Sequence, residues 1–229
     1  MKQVCIQGLG FVGVAMAIAL SNVKTAKGKP MYFVTGIDLP TEQGLKRIDA
    51  VNQGKLPFNT ADKKMATAFF AAMKTGNLVA TTDESAYTSA DFVIVDVPLD
   101  VALVDGEIQL DLSGFENSIR TVASNIKSGA LILVETTVPP GTCEKIVWPI
   151  ICEELEKRNV DKDLVYLAHS FERVMPGIGY YDSLVNYWRV YAGRTNCAAD
   201  ICEEFLSTLI NVEQYPLKRL ASMTASEAT

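Results

Sequence analysis

Val4-Cys5-Ile6-Gln7-Gly8-Leu9-Gly10-Phe11-Val12-Gly13 is the stretch that decides the fold. A short apolar run enters three glycines spaced G-x-G-x-x-G, and an Ala-rich helical stretch at residues 14–20 follows directly. This strand-turn-helix setting is what dinucleotide binding requires. Gly8 permits the tight turn, Gly10 lets backbone approach a pyrophosphate, and Gly13 lets the helix pack on the strand. Phe11 and Val12 complete the turn, where free N–H groups at the helix start face the phosphates. A second apolar run, residues 31–37, ends in Asp38, placed to accept hydrogen bonds from both hydroxyls of an adenosine ribose. NAD is therefore expected over NADP, since Asp38 would repel a 2′-phosphate and no arginine immediately follows it as a counter-charge. Asp38 lies further from the glycines than the usual interval of roughly twenty residues. The polar stretch Lys24-Thr25-Ala26-Lys27-Gly28-Lys29-Pro30 accounts for this as an enlarged surface loop. A strand-turn-helix with no ligand is the plainer alternative, and the joint placement of the glycines and Asp38 argues against it.

At 229 residues the chain suits one sizeable α/β domain, or one domain and the start of another. Its 48% hydrophobic content fits a parallel sheet covered on both faces. A net charge of −6 argues against a nucleic-acid partner held by phosphate neutralisation, but not against a nucleotide at a helix N-terminus. No run is long and apolar enough to span a bilayer, and glycines interrupt the apolar N-terminus, which does not read as a secretion signal. The five cysteines, Cys5, Cys143, Cys152, Cys197 and Cys202, lack zinc-ligand spacing. A cytoplasmic protein without structural disulfides is expected.

Further along, periodicity predicts helices over residues 42–53 and 61–74, a short strand at 78–80 and a buried strand at 92–97 that stops at Pro98. Helix over 111–126, strand over 130–134, helix over 143–157 and strand over 165–168 come next. Strands near 189–192 and 211–215, helix over 197–209 and a helix from about Thr224 complete the pattern. Alternation of strands and helices predicts a doubly wound, Rossmann-type parallel sheet with helices on both faces.

Glycines 8, 10 and 13, Asp38, Gly54-Lys55-Leu56-Pro57-Phe58, Val97-Pro98, Thr136-Thr137-Val138-Pro139-Pro140-Gly141-Thr142 and Glu172-Arg173-Val174-Met175-Pro176-Gly177 occur in one order. In that order the chain resembles the UDP-glucose/GDP-mannose dehydrogenase family, over essentially its whole length. The Glu-Arg-Val-x-Pro-Gly form is most similar to members acting on UDP-N-acetylhexosamines such as UDP-N-acetyl-mannosamine. The resemblance implies oxidation of a sugar C6 alcohol to a carboxylate in two successive NAD-dependent steps. It makes residues 8–13 and Asp38 the cofactor site, with Pro98 lining the cofactor and Thr137 beside its nicotinamide end. Glu172 corresponds to the family's acid/base glutamate of the hydrolytic step, and Arg173 and Val174 to contacts with the nucleotide-sugar.

The chain also departs from the family pattern. Leu99-Asp100 replaces the usual Thr-Pro after Val-Pro, and Phe171 replaces the proline before the glutamate. The family's central-helix lysine and asparagine and its nucleophilic cysteine are expected beyond Thr229. Residues 1–220 then read as the NAD-binding domain and 221–229 as a truncated central helix, through which the full-length enzyme would form a homodimer. Cys143, at a helix start, has either a lowered pKa or a packing role, and packing is the plainer one. His169 is either a catalytic partner of Glu172 or a residue that caps a strand or satisfies a backbone carbonyl, and Lys46 and Arg47 either reach the adenosine or lie on an exposed helix face. Two rival readings remain at this point: a non-catalytic NAD-binding regulatory module, and a single-step hydroxyacid or 6-phosphogluconate-type dehydrogenase. The residue 172–173 loop and the Thr137 turn argue against the second.

Overall fold

In a computed structural model, which describes residues 1–104 and 107–229, an eight-stranded sheet forms the centre. It is built from β1 (Lys2–Gln7), β2 (Tyr32–Ile37), β3 (Leu78–Thr81), β4 (Phe92–Val95), β7 (Leu131–Val134), β8 (Tyr166–His169), β9 (Val190–Gly193) and β10 (Lys218–Arg219). Their order is β10-β9-β8-β7-β4-β1-β2-β3. The chain steps outward from β1 through β2 to β3, then returns to β4 on the other side of β1. The strand order reverses at that point, and the crevice outside the carboxyl ends of β1 and β4 is where such sheets place ligands.

Val93, Val95, Ile132 and Val134 face one side, and Ile94 and Leu133 the other, as the period-two alternation of a strand buried on both faces requires. Helices α1 (Phe11–Ser21), α2 (Glu42–Asn52), α3 (Lys63–Thr75), α6 (Tyr180–Val185) and α7 (Asn196–Leu209) pack on the Ile94 side. On the Val95 side lie α4 (Ser113–Asn125), α5 (Trp148–Lys157), α8 (Met223–Glu227) and a 3₁₀ turn at Glu84–Ser89. Helix α1 is buried along almost its whole length, and so it carries no charged residue. The loop at residues 24–30 is closed by a bridge between Lys24 and Pro30, with Gly28 in the left-handed region.

Three features differ from the sequence expectations. First, β9 pairs antiparallel with β8. A parallel return needs a crossover, usually a helix, that runs back along the strands, but residues 170–189 hold only the six-residue α6, so β9 starts where β8 stops. Second, the predicted strand near 211–215 is a turn, in which the Tyr215 N–H donates to the Asn211 carbonyl, and pairing resumes only after Pro216. Third, the expected helix start at Asp111 belongs instead to an antiparallel hairpin of β5 (Asp100–Val104) and β6 (Glu107–Asp111). Its sequence signal, Asp105-Gly106 between alternating runs, was available.

Candidate active site

The glycine turn is built by three different constraints. Gly8 has φ +95°, and a Cβ there would stand 2.6 Å from the Asp96 carbonyl oxygen. A Cβ on Gly13 would lie 1.8 Å from the Gly8 carbonyl, so helix and turn touch backbone to backbone. Gly10 is different, because a Cβ there meets nothing within 4 Å. Its lack of a side chain serves neither turn nor packing. It leaves open space above the N-terminus of α1, as a ligand brought against the backbone would need.

That space belongs to a cleft of ≈ 310 Å³ lined by Leu9, Gly10, Phe11, Gln43, Arg47 and Phe58, among others. Phe58 lies between Phe11 and Tyr180, tilted against each, at ring-centroid distances of 5.2 and 5.6 Å. The Tyr180 hydroxyl also donates to the Phe11 carbonyl, so α6 and the Gly-x-x-Pro-Phe segment both brace the turn. Phe11 is exposed and Val12 half-buried. Asp38, at the end of β2, accepts from the Leu9 N–H (3.3 Å), the Leu39 N–H (2.8 Å) and Arg47 Nη1 (3.1 Å). The counter-charge not found immediately after Asp38 is thus supplied from α2, one helical face away in sequence. Lys46 also borders the cleft and pairs with Glu42 at 2.6 Å.

The loops after β4, β7 and β8 open at the same edge. Pro98 and Thr137 are exposed, and Leu99 packs partly into the core on the α4 side. Thr136 rather than Thr137 holds the loop, donating to the Val95 and Val97 carbonyls at 3.1 and 2.8 Å. Glu172 is half-buried and accepts from the Val174 N–H, and burial pushes its carboxyl above the usual range. Arg173 is exposed, with its guanidinium 4.5 Å over the Phe171 ring, while Val174 packs on the core beside Tyr180.

His169 is fully buried. Its Nδ1 lies 2.9 Å from the Ser226 hydroxyl, and burial lowers its pKa to about 4. It is therefore a neutral histidine tying β8 to α8 rather than a partner of Glu172. Cys143 is also buried, its thiol pushed well up by burial and then by Glu227, which fits packing and not nucleophilicity. It lies in a π turn, Cys143–Val147, whose entry is capped by Glu227: the carboxylate accepts from the Gly141 and Cys143 N–H groups.

Sequence reasoning missed a buried polar group behind these loops. Glu135 Oε1 pairs with Arg189 Nη2 at 2.5 Å, both side chains essentially without exposure, and Arg189 also donates to the Ser170 carbonyl. Asp96 stands beside them with neither carboxylate oxygen partnered. The signal was one charged residue inside the apolar run Phe92-Val93-Ile94-Val95-Asp96-Val97.

A family model described as the UDP-glucose/GDP-mannose dehydrogenase family, NAD binding domain, matches residues 2–210. The chain is 31% identical over 214 residues to UDP-N-acetyl-D-mannosamine dehydrogenase of Methanocaldococcus jannaschii, covering 93% of this chain and 44% of that protein. Among solved structures it is similar to NDP-N-acetyl-D-galactosaminuronic acid dehydrogenase from Methanosarcina mazei, with TM-score 0.87 and 24% identity over 100% of this chain and 46% of the other. At that identity the likeness shows the fold. A ternary complex of GDP-mannose dehydrogenase from Pseudomonas aeruginosa matches with TM-score 0.79 and 25% identity, over 100% and 48% of the two chains. The chain spans about half the length of the curated relatives it matches.

Proposed function

Because the chain belongs to the UDP-glucose/GDP-mannose dehydrogenase family and is its NAD-binding domain, we propose that it is the cofactor-holding half of a nucleotide-sugar 6-dehydrogenase. Residues 1–220 are that half, and 221–229 open the central helix through which the whole enzyme pairs. The substrate is a UDP-sugar whose C6 alcohol becomes a carboxylate. Relatives named for UDP-N-acetyl-D-mannosamine favour a UDP-N-acetylhexosamine. The observation that carries the reading is the open space over Gly10 in a cleft that Asp38 closes through Leu9 and Arg47.

NAD, when bound, accepts hydride from the sugar. The chain's own residues do the rest of this half's work. The turn at residues 8–13 admits the pyrophosphate, and Asp38 orients the adenosine ribose against Arg47. Pro98 and Thr137 border the nicotinamide end and the hydrolytic water. Glu172 exchanges a proton with that water, a task suited to a half-buried carboxyl that burial raises above its ordinary range. Arg173 meets the diphosphate of the nucleotide-sugar, with Val174 fixing the loop beneath it.

The second oxidation also needs a thiol to capture the aldehyde. Cys5, Cys143 and Cys202 are buried with thiols pushed up by burial, Cys5 to about 12, and Cys152 and Cys197 lie on helices away from the glycine turn. The chain alone therefore binds NAD without completing the oxidation.

Calorimetric titration with NAD, NADP and UDP-N-acetylhexosamines tests this. Saturable NAD binding is expected, weaker by about tenfold or more in Asp38→Ala, since hydrogen bonds to a charged group contribute about 1.5–3 kcal/mol. Multiple turnovers of NAD reduction by the chain with a UDP-sugar would overturn the half-enzyme reading. Preference for NADP would overturn the role given to Asp38.

A further inference from the structure

Strands β1, β4 and β7 end in register, with Gln7 opposite Val95 and Val95 opposite Val134. One step further brings Gly8, Asp96 and Glu135 side by side, and the next neighbour on β8 is Ser170. Asp96 and Glu135 share a face with Ile94 and Leu133, so both side chains point under the N-terminal end of α1. Asp96 is 9% exposed and Glu135 1% exposed.

The charges there do not balance if every acid is ionised. Arg189, from the start of β9, gives its Nη2 to Glu135 and to the Ser170 carbonyl. Glu172 approaches from the loop after β8. Among the described residues the remaining neighbours bring no second buried cation: α1 is uncharged, α6 offers Tyr180, and α7 offers the buried Cys202. Arg173 keeps its guanidinium on the exposed Phe171 side. Asp96 and Glu135, almost fully buried, and the half-buried Glu172 thus meet one buried guanidinium, with the exposed Arg173 acting on Glu172, and like charges on adjacent strands repel. The partnerless atoms are also concentrated here: both Asp96 oxygens, Glu135 Oε2, and Arg189 Nε and Nη1.

We propose that Asp96 is held as a neutral carboxylic acid at neutral pH and, by removing one negative charge beside Glu172, is the positioning residue that keeps Glu172 able to exchange a proton. The proton sits on Asp96 rather than Glu135 because Glu135 has the ion pair. Asp96 then offers an O–H that Glu135 Oε2, directly or through one buried water, can accept. Burial raises the Asp96 carboxyl well above its ordinary range, with Glu135 and Glu172 adding to the effect and Arg189 opposing it. This inference rests on the reading of Glu172 as the acid/base residue.

Infrared spectroscopy of the chain at neutral pH tests it. A protonated-carboxyl C=O band is expected in the wild type, lost in D96N and retained in E172Q. A band that is absent, or that survives D96N, overturns the proposal. If D96N does not fold, carbon-13 labelling of the aspartate carboxyls in the wild type serves instead. One aspartate signal should stay in its protonated position at neutral pH, and titration of every aspartate in the ordinary acid range overturns the assignment. With glutamate labelling, the Glu172 midpoint should be unchanged in D96N, because a neutral amide replaces a neutral acid. A downward shift would mean that Asp96 had been charged. Loss in D96N with retention in E172Q assigns the band to Asp96, so failure of Glu172 as acid/base would leave it in place, and absence of the band would leave the cofactor reading standing.

Discussion

Replacing Gly10 by alanine should separate cofactor binding from folding, and Gly13 provides the contrast. Gly10 has φ −68° and ψ −167°, which alanine can adopt, and its added methyl would meet nothing within 4 Å. Alanine restricts the unfolded chain, a gain of about 0.4–1 kcal/mol, and serves the helix N-terminus less well than glycine by a similar amount. Net stability should therefore stay within about 1 kcal/mol of wild type. A methyl that keeps backbone from a pyrophosphate acts as an overpacked contact of about 1–3 kcal/mol, or roughly 5- to 150-fold in NAD affinity. In Gly13→Ala the methyl would sit 1.8 Å from the Gly8 carbonyl, backbone that cannot yield without moving the turn. There the loss should fall on folding, about 3 kcal/mol or more. Urea unfolding and calorimetric NAD titration of both variants measure the two effects. Wild-type NAD affinity in Gly10→Ala, or equal destabilisation by both substitutions, would refute the separate tasks assigned to the glycines.

Arg189→Met should destabilise by about 3–5 kcal/mol because it leaves Glu135 buried without its counter-charge, whereas the double change with Glu135→Leu should recover much of the loss; a double variant no better than the single would show that packing dominates. The depressed pKa of His169 makes the folded state bind fewer protons than the unfolded one between its ordinary value of about 6.5 and about 4. Its contribution is present above that window and lost as pH falls through it, by up to about 3 kcal/mol. His169→Gln should flatten acid unfolding over this range, and an unchanged profile would place the acid sensitivity elsewhere. Glu227→Gln weakens two charge-assisted bonds to the π turn, so amide exchange at Gly141 and Cys143 should quicken while NAD affinity holds. Unaltered exchange would mean that α8 does not hold that loop.

What was legible in the sequence followed from local rules. Glycines 8, 10 and 13 and Asp38 announce a strand-turn-helix and a second strand because each meets a backbone demand within its own unit. Apolar runs such as Val93-Ile94-Val95 announce buried strands because both faces are covered. The direction of β9 was not legible, since it depends on how much chain the loop and α6 consume between residues 170 and 189. The environment of Asp38 was not legible either, because Arg47 reaches it through the rotation of α2 rather than through adjacency in sequence.

The polar group behind the site is non-local in the same way. Asp96, Glu135 and Arg189 come from three separate segments and meet only once β4, β7 and β9 lie in order in one sheet. Their cost is large because the sheet is dry at that edge, yet the edge cannot be made apolar without losing the groups that face the loops of Thr137 and Glu172. A doubly wound sheet concentrates strand ends, helix N-termini and loops at one rim. In this chain Asp96, Glu135 and Arg189 lie buried at that rim, beside Gly8.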